Sequence, residues 1–310
     1  MRKVIGIGET VYDIVFKLGQ PTAAVPGGST FNSMISLGRC GIAADFLSEF
    51  GDDKVGSIIK DFMESNGVNP AFVNILPTKT PLSLAFLDEN NDASYTFYRD
   101  QAVERPDFIY PEISPDDVVL FGSFYALNPD CRPLVKRFLE HAKSRGAILY
   151  YDVNFRPSHV KDLGNIGNAL WENLELSDVV RGSNEDFITL FGMGDAADVF
   201  KEKISPYCGN LICTYGAKPL KVIDSRGLSL ECPVEQVETV STIGAGDSFN
   251  AGFIYGLVKN GITRRMLSDG LPAGVWKELV GCAGSFSASC CQSSFNYVTP
   301  EFASAHRLAL

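Results

Sequence analysis

From residue 118 onward the chain repeats one pattern, a short apolar run followed by a stretch with helical spacing. Residues 118–121, 147–153 and 211–214 are the clearest strands, and residues 132–144 and 165–176 hold helical or turn material between them. That alternation argues for a largely parallel sheet with helices on both faces, so the fold class is α/β. Lys3 to Gly8 adds another apolar run ending in glycine, which reads as a buried strand. Ligands of such sheets sit beyond the carboxyl ends of the strands, so polar residues at those ends are the first candidates for a site.

The N-terminal third carries a different signal. Residues 10–18 alternate, with Val11, Asp13, Val15 and Lys17 on one face and Tyr12, Ile14 and Phe16 on the other, so Asp13 is a candidate to face a ligand. Residues 81–88 and 93–98 are two further β-type runs joined by Glu89-Asn90-Asn91-Asp92, a hairpin signal. Tyr95, Phe97 and Arg99 share one face, an aromatic wall ending in a guanidinium. Such a hairpin reads as a lid over a small polar ligand and equally well as a subunit contact.

Residues 240–252 carry the strongest chemistry. Thr242-Ile243-Gly244-Ala245-Gly246-Asp247-Ser248 precedes a helix in which Phe249, Phe253 and Leu257 recur at four-residue spacing. The two glycines let successive amides converge ahead of the helix, where its dipole favours an anion. Asp247 stands at that mouth with two readings, a helix cap or the acceptor of a proton from a substrate hydroxyl. A second glycine turn, Pro26-Gly27-Gly28-Ser29-Thr30-Phe31-Asn32, opens a short helix over residues 33–37. Asp52 and Asp53 precede a helix at residues 55–64 and read as caps. Asp152-Val153-Asn154-Phe155-Arg156 is a polar cluster at a strand end, and Ser183 with Asp186 forms an approximate capping box. Thr214-Tyr215-Gly216-Ala217 ends a strand, and a last helix is expected at about residues 275–291.

The string from Thr242 to Phe249, followed by Ala251-Gly252-Phe253, closely resembles the C-terminal signature of the PfkB/ribokinase family of carbohydrate kinases. The turn from Gly27 to Asn32 resembles that family's N-terminal signature. Phe97-Tyr98-Arg99-Asp100, with Ala102 after it, is similar to the fructokinase-like branch, and Asp152-x-Asn154-x-Arg156 to fructokinase and ketodeoxygluconate-kinase relatives. The resemblance implies a single ribokinase-like domain over residues 1–310, with a small β-sheet lid formed near residues 10–18 and 81–98. It implies ATP-dependent phosphorylation of a sugar hydroxyl, fructose first, with ribose, ketodeoxygluconate and nucleosides open.

By position, Asp247 is the base, and Gly244, Ala245 and Gly246 form the anion hole. Asp13, Gly27, Gly28, Asn32, Phe97, Arg99, Asn154 and Arg156 would hold the sugar, and Thr214 and Gly216, with Gly244 and Gly246, the nucleotide. The family's Asn-x-x-Glu magnesium motif becomes Ser183 and Asp186 here, leaving Asp186 to position Mg²⁺ through water. Ser241 stands where many members have an Asp in the loop that holds a monovalent cation, so potassium activation stays open. The apolar hairpin implies a homodimer through the lid.

Composition narrows the rival classes. With 27 Lys+Arg against 37 Asp+Glu, the net charge of −10 argues against nucleic acid or an anionic membrane as the main partner. The apolar start before Glu9 is too short for a signal peptide, no run is long enough to span a membrane, and the compartment expected is the cytoplasm. Eight cysteines without a Cys-x-x-Cys pair read as reduced thiols. Gly6-Ile7-Gly8 hints at a dinucleotide fingerprint, but Val11 replaces its third glycine, which disfavours a dehydrogenase. A catalytically weak sugar- or nucleotide-binding protein is the remaining rival, and the presence of Asp247 argues against it.

Overall fold

Along each central strand successive side chains enter two different cores, which is why these runs read as nearly unbroken apolar sequence. Val4, Val118, Leu120, Ile148, Tyr150 and Val179 point into one core; Ile5, Ile7, Val119, Phe121, Leu149, Tyr151 and Val180 point into the other. The structure, a computed structural model, describes residues 2–88, 93–100 and 105–308. In chain order the elements are β1 (Val4–Ile7), β2 (Val11–Lys17), β3 (Gln20–Gly27), α1 (Ser29–Arg39), β4 (Ala44–Gly51), α2 (Lys54–Ser65), β5 (Val68–Asn69), β6 (Val73–Leu76), β7 (Leu82–Leu87), β8 (Ala93–Tyr98), β9 (Val118–Gly122) and α3 (Arg132–Ser144). Then follow β10 (Ile148–Asp152), α4 (Ala169–Leu176), β11 (Val179–Ser183), α5 (Asn184–Phe191), α6 (Ala196–Val199), β12 (Asn210–Tyr215), β13 (Lys218–Asp224), β14 (Ser229–Cys232), α7 (Ala245–Lys259), α8 (Arg264–Asp269), α9 (Ala273–Cys291) and α10 (Pro300–Ala305).

The large sheet runs β14-β13-β12-β11-β10-β9-β1-β4-β5, with β6 also paired to β4. It is parallel from β12 to β5 and turns antiparallel at β13 and β14. Residues of α1, α7 and α9, among them Phe31, Phe253 and Trp276, fill the first core; α3, α4 and α5 fill the second with Phe138, Leu174 and Phe187. The chain leaves β1 toward β4 on one side and resumes at β9 on the other. That reversal opens a crevice beyond β1 and β9, where an α/β sheet binds its ligand.

The small sheet, order β3-β2-β7-β8, takes in both segments expected near residues 10–18 and 81–98. β2 is antiparallel to β3 and parallel to β7, and β7 pairs antiparallel with β8 from Leu82↔Tyr98 to Leu87↔Ala93. The turn expected at Glu89 to Asp92, the side chain of Tyr95, and Ala102 lie outside the described residues.

Three features depart from the sequence reading. β3 lacks apolar alternation and forms because the Leu18-Gly19 turn, both residues at positive φ (51° and 75°), folds it back onto β2. α1 starts at Ser29, four residues before the expected helix, and α9 is followed by the short α10. The expected caps hold in part: Asp53 Oδ1 accepts from Gly56 N at 2.8 Å and from Thr80 Oγ1 at 2.7 Å. All eight cysteines are free thiols. Among the described residues no helix is long and apolar enough to cross a membrane.

Candidate active site

The site grows from the first turn of α7. Gly244, its N-cap, takes φ 78°, and a Cβ there would collide with the Asn296 carbonyl, so only glycine makes this entry. No side chain caps the helix. Ala245 N donates to Thr242 O and Ser248 N to Gly244 O. The amides of Gly246 and Asp247 have no acceptor within the helix and lie at the positive end of its dipole.

Asp247 is not a cap. Its Oδ1 accepts from Ser29 Oγ and its Oδ2 from Asn32 Nδ2, both at 2.8 Å, while Ser33 Oγ donates to its carbonyl at 2.8 Å. All three donors belong to α1, whose N-cap Gly28 sits at φ 130° with the Glu9 carbonyl where a side chain would stand. Asn32, expected on the sugar, thus holds the proposed base with its amide nitrogen, and its Oδ1 is buried without a partner. Burial pushes the Asp247 carboxyl up to about 6, against the opposing pull of Asn32 and Ser29. Burial likewise pushes Asp13 up to about 6, with Ser83 and Arg156 opposing. The Asp13 carboxylate occupies the space a side chain at Gly27 would need, which sets the two residues side by side.

The strand ends supply a second group. Asp152, at the end of β10, accepts from Arg181 Nη1 at 2.9 Å and from Asn250 Nδ2 at 2.8 Å, and Asn250 Oδ1 accepts from Tyr150 OH at 3.0 Å. Burial raises the Asp152 carboxyl, and Arg181 counters it. Arg181 Nη2 donates to Thr214 Oγ1 at 3.0 Å, so Thr214 is brought to the same cluster, while Gly216 (φ 62°) lies beyond it in the β12–β13 turn. Asn154 adopts φ 33° and donates from Nδ2 to Ser123 Oγ at 2.9 Å; Arg156 is exposed and acts electrostatically on both Asp13 and Asp247.

Asp186 completes a full capping box with Ser183. Its Oδ2 accepts from Ser183 N and Oγ (2.7 and 2.8 Å), and its Oδ1 from Phe155 N (2.9 Å). Arg99 reaches Glu9 rather than open space, with Nη1–Oε1 at 2.9 Å and Nη2–Oε2 at 3.1 Å, and its guanidinium lies 4.8 Å from the Phe97 ring centre. This pair ties the end of β8 to the end of β1. It forms one wall of a small cavity that Glu49, Arg105 and Tyr125 also line, together with apolar residues such as Phe50 and Leu76.

A family model described as pfkB family carbohydrate kinase matches residues 1–277. The chain belongs to the pfkB family. It is 27% identical over 276 residues to a fructokinase of Rhizobium leguminosarum bv. trifolii, covering 86% of this chain and 83% of the relative. It is 26% identical to a 5-dehydro-2-deoxygluconokinase of Bacillus cereus, covering 75% and 74%. In fold it is similar to the Vibrio cholerae fructokinase, crystallised with fructose, ADP and calcium: TM-score 0.82, 19% identity, 96% and 94% covered. The aminoimidazole riboside kinase of Salmonella enterica, solved with its riboside and an ATP analogue, superposes with TM-score 0.79 at 18% identity, covering 98% and 99%.

For this pfkB-family kinase, sequence reasoning missed Ser29, Glu9 and Arg181. Ser29 lay inside a turn read for its glycines. Arg181 had a readable signal, a lone charge inside the apolar strand beginning Val179-Val180. Among the described residues no group of three His, Cys, Asp or Glu side chains is arranged to hold a metal by itself. Mg²⁺ usually keeps several waters and is held chiefly by nucleotide phosphates, so it requires no such group of protein ligands. With each oxygen of Asp186 already accepting from the protein, water is the bridge by which it would reach such an ion.

Proposed function

We propose that this sugar kinase moves the terminal phosphoryl group of ATP to a hydroxyl of fructose, as a single kinase domain over residues 1–310 with the small sheet as its lid. The observation that carries the mechanism is the Asp247 carboxylate, fixed by Ser29 and Asn32 beside the open amides of α7. The sugar hydroxyl oxygen forms the new O–P bond and passes its proton to Asp247. The bond to the β,γ-bridging oxygen breaks, and ADP leaves with the electron pair. Amides of the 244–246 turn and of Asp247 hold the charge on the phosphoryl oxygens, and Thr214 and Gly216 border the nucleotide. Mg²⁺, bound with ATP and reached through water from Asp186, would neutralise phosphate charge.

Asp13, Gly27, Gly28, Asn32, Asn154 and Arg156 border the sugar in this reading, and Phe97 and Arg99 cover it from the lid. Fructose is preferred because fructokinases of several organisms are similar to the chain along most of its length. 5-Dehydro-2-deoxygluconate is the second reading, supported by the relatives that carry that name. ADP release is to be measured with fructose, ribose, adenosine, ketodeoxygluconate and 5-dehydro-2-deoxygluconate. The expected result is a kcat/KM for fructose at least about tenfold above ribose and adenosine, or about 1.4 kcal/mol of transition-state binding. A better keto-acid acceptor would replace fructose and leave the kinase reading intact.

The lid also supports a homodimer, and the compartment in this reading is the cytoplasm. Phe86 and Tyr98 are 40% and 58% exposed on one face of its sheet, the face opposite Phe97 and Asp13, an apolar surface suited to a second copy. Sedimentation at micromolar concentration with ligands present is expected to give a dimer; monomer alone rejects this contact.

A further inference from the structure

Arg181 is an expensive residue to bury. It sits 8% exposed on β11, on the same side of the sheet as Val179 and therefore facing α7. A buried ion pair is a weak source of stability, since desolvation offsets most of its attraction, so the Asp152–Arg181 pair is poorly explained as a device for holding the fold. Arginine carries five N–H donors. Asp152 and Thr214 take one each, and Nε is buried with no partner. The outer edge of the fork lies beneath α7: a Cβ built on Gly246 would stand 3.3 Å from both Nη1 and Nη2. The guanidinium thus joins Asp152 at the end of β10 to the nucleotide-side Thr214 and lies under Gly246, whose amide is open at the start of α7.

We propose that Arg181 is a catalytic residue of the phosphoryl transfer, a fixed cation that the transferring group meets through the space left by the missing side chain of Gly246. This rests on the reading that the turn before α7 holds the phosphoryl group. As the sugar oxygen bonds to phosphorus and the bond to the ADP oxygen breaks, negative charge spreads over the equatorial and leaving oxygens. Arg181 offers its remaining N–H groups to that charge, while Asp152, itself held by Asn250, keeps the fork in plane. Asp152 is then a positioning residue and Gly246 a space-keeping one.

The test compares wild type, Arg181→Lys, Arg181→Met and the double variant Asp152→Asn/Arg181→Met. Arg181→Met alone leaves Asp152 as an uncompensated buried charge; the double variant removes both charges and guards against simple misfolding. Two readouts are taken on every folded variant: kcat and KM with the best sugar, and the affinity for ADP with and without aluminium fluoride, a mimic of the transferring group. The expected result for the double variant is kcat lower by about 10²–10³, the loss typical of one transition-state donor, with KM values little changed. The extra affinity that aluminium fluoride adds to ADP should be lost, while ADP alone binds as before. Arg181→Lys should recover part of kcat, because it keeps the charge without the fork. A double variant with kcat within about tenfold of wild type, or one that loses ADP and the fluoride complex equally, overturns the proposal. If the double variant does not fold, Arg181→Lys decides: unchanged kcat overturns it, and a selective loss of the fluoride increment supports it. A wild type with no turnover on any sugar would sink the kinase reading instead.

Discussion

At the first turn of α7 both oxygens of Asp247 have donors at 2.8 Å, and at the end of β10 both oxygens of Asp152 do, at 2.8–2.9 Å. In the small sheet, by contrast, Leu18 is 89% and Tyr98 58% exposed, and the tie from β8 to β1 is a partly exposed Glu9–Arg99 pair. The first region holds each carboxylate with two donors, the kind of fixed positioning on which phosphoryl transfer depends. The second, as the proposed lid, is tied down by a partly exposed contact. Chemistry is therefore expected to fail sharply on small changes at α7, and binding to change gradually on larger ones in the lid.

Asp247→Asn should give the largest effect. Asparagine keeps the size and can still accept from one α1 donor, so the protein should fold and bind ATP and sugar with kcat lower by about 10²–10⁴. Near-normal turnover would reduce Asp247 to a structural residue and erase the contrast between the two regions.

Acidity probes the same carboxylate without a mutation. With Asp247 near 6, kcat should fall as pH drops through about 6, because the protonated group accepts nothing. Stability moves the other way. A folded-state value above the ordinary 3.8 gives stabilisation that is fully present below that value and lost as pH rises through 6. Asp247→Asn cannot ionise, so it should melt above wild type at pH 8, with the gap closing toward about pH 4. A gap that widens on acidification contradicts the assignment.

In the lid, Arg99→Ala should raise the sugar KM a few-fold and leave kcat nearly intact, since a partly exposed ion pair is worth about 1 kcal/mol or less. A large loss of kcat would place Arg99 with the chemistry and blur the comparison. The smallest effect is expected from exchanging sodium for potassium. Ser241 brings no carboxylate to the cation loop, and its Oγ accepts instead from Ile243 N at 3.2 Å. Rates in the two salts should agree; clear potassium activation would require another ligand set.

What was legible follows from how local each signal is. The strands at residues 118–121, 147–153 and 211–214 appear with shifts of one residue or so, because burial on both faces writes itself into consecutive residues. The helix entries at Gly28 and Gly244 were legible for the same reason: glycine turns ahead of helices are short-range features. β3 was not, since its pairing with β2 is decided by the partner strand and not by its own pattern. Asp13 with Gly27, and Asn32 with Asp247, were named singly, yet their contacts were unreadable because the residues come from different elements. Arg181 was visible as an odd residue but had no assigned role until Gly246 was placed above it.

The bond from Ser29 to Asp247 spans 218 positions of the chain. At the pace of protein synthesis, about 5–20 residues per second, α1 is finished roughly 10–40 s before its acidic partner is made. Throughout that interval Ser29, Asn32 and Ser33 face a place where α7 does not yet exist, and water must satisfy them. The order of synthesis thus sets an order of assembly: every strand described above and the turn before α1 are synthesised ahead of Asp247, and the core that α1, α7 and α9 share can close only after α7 and α9 are made.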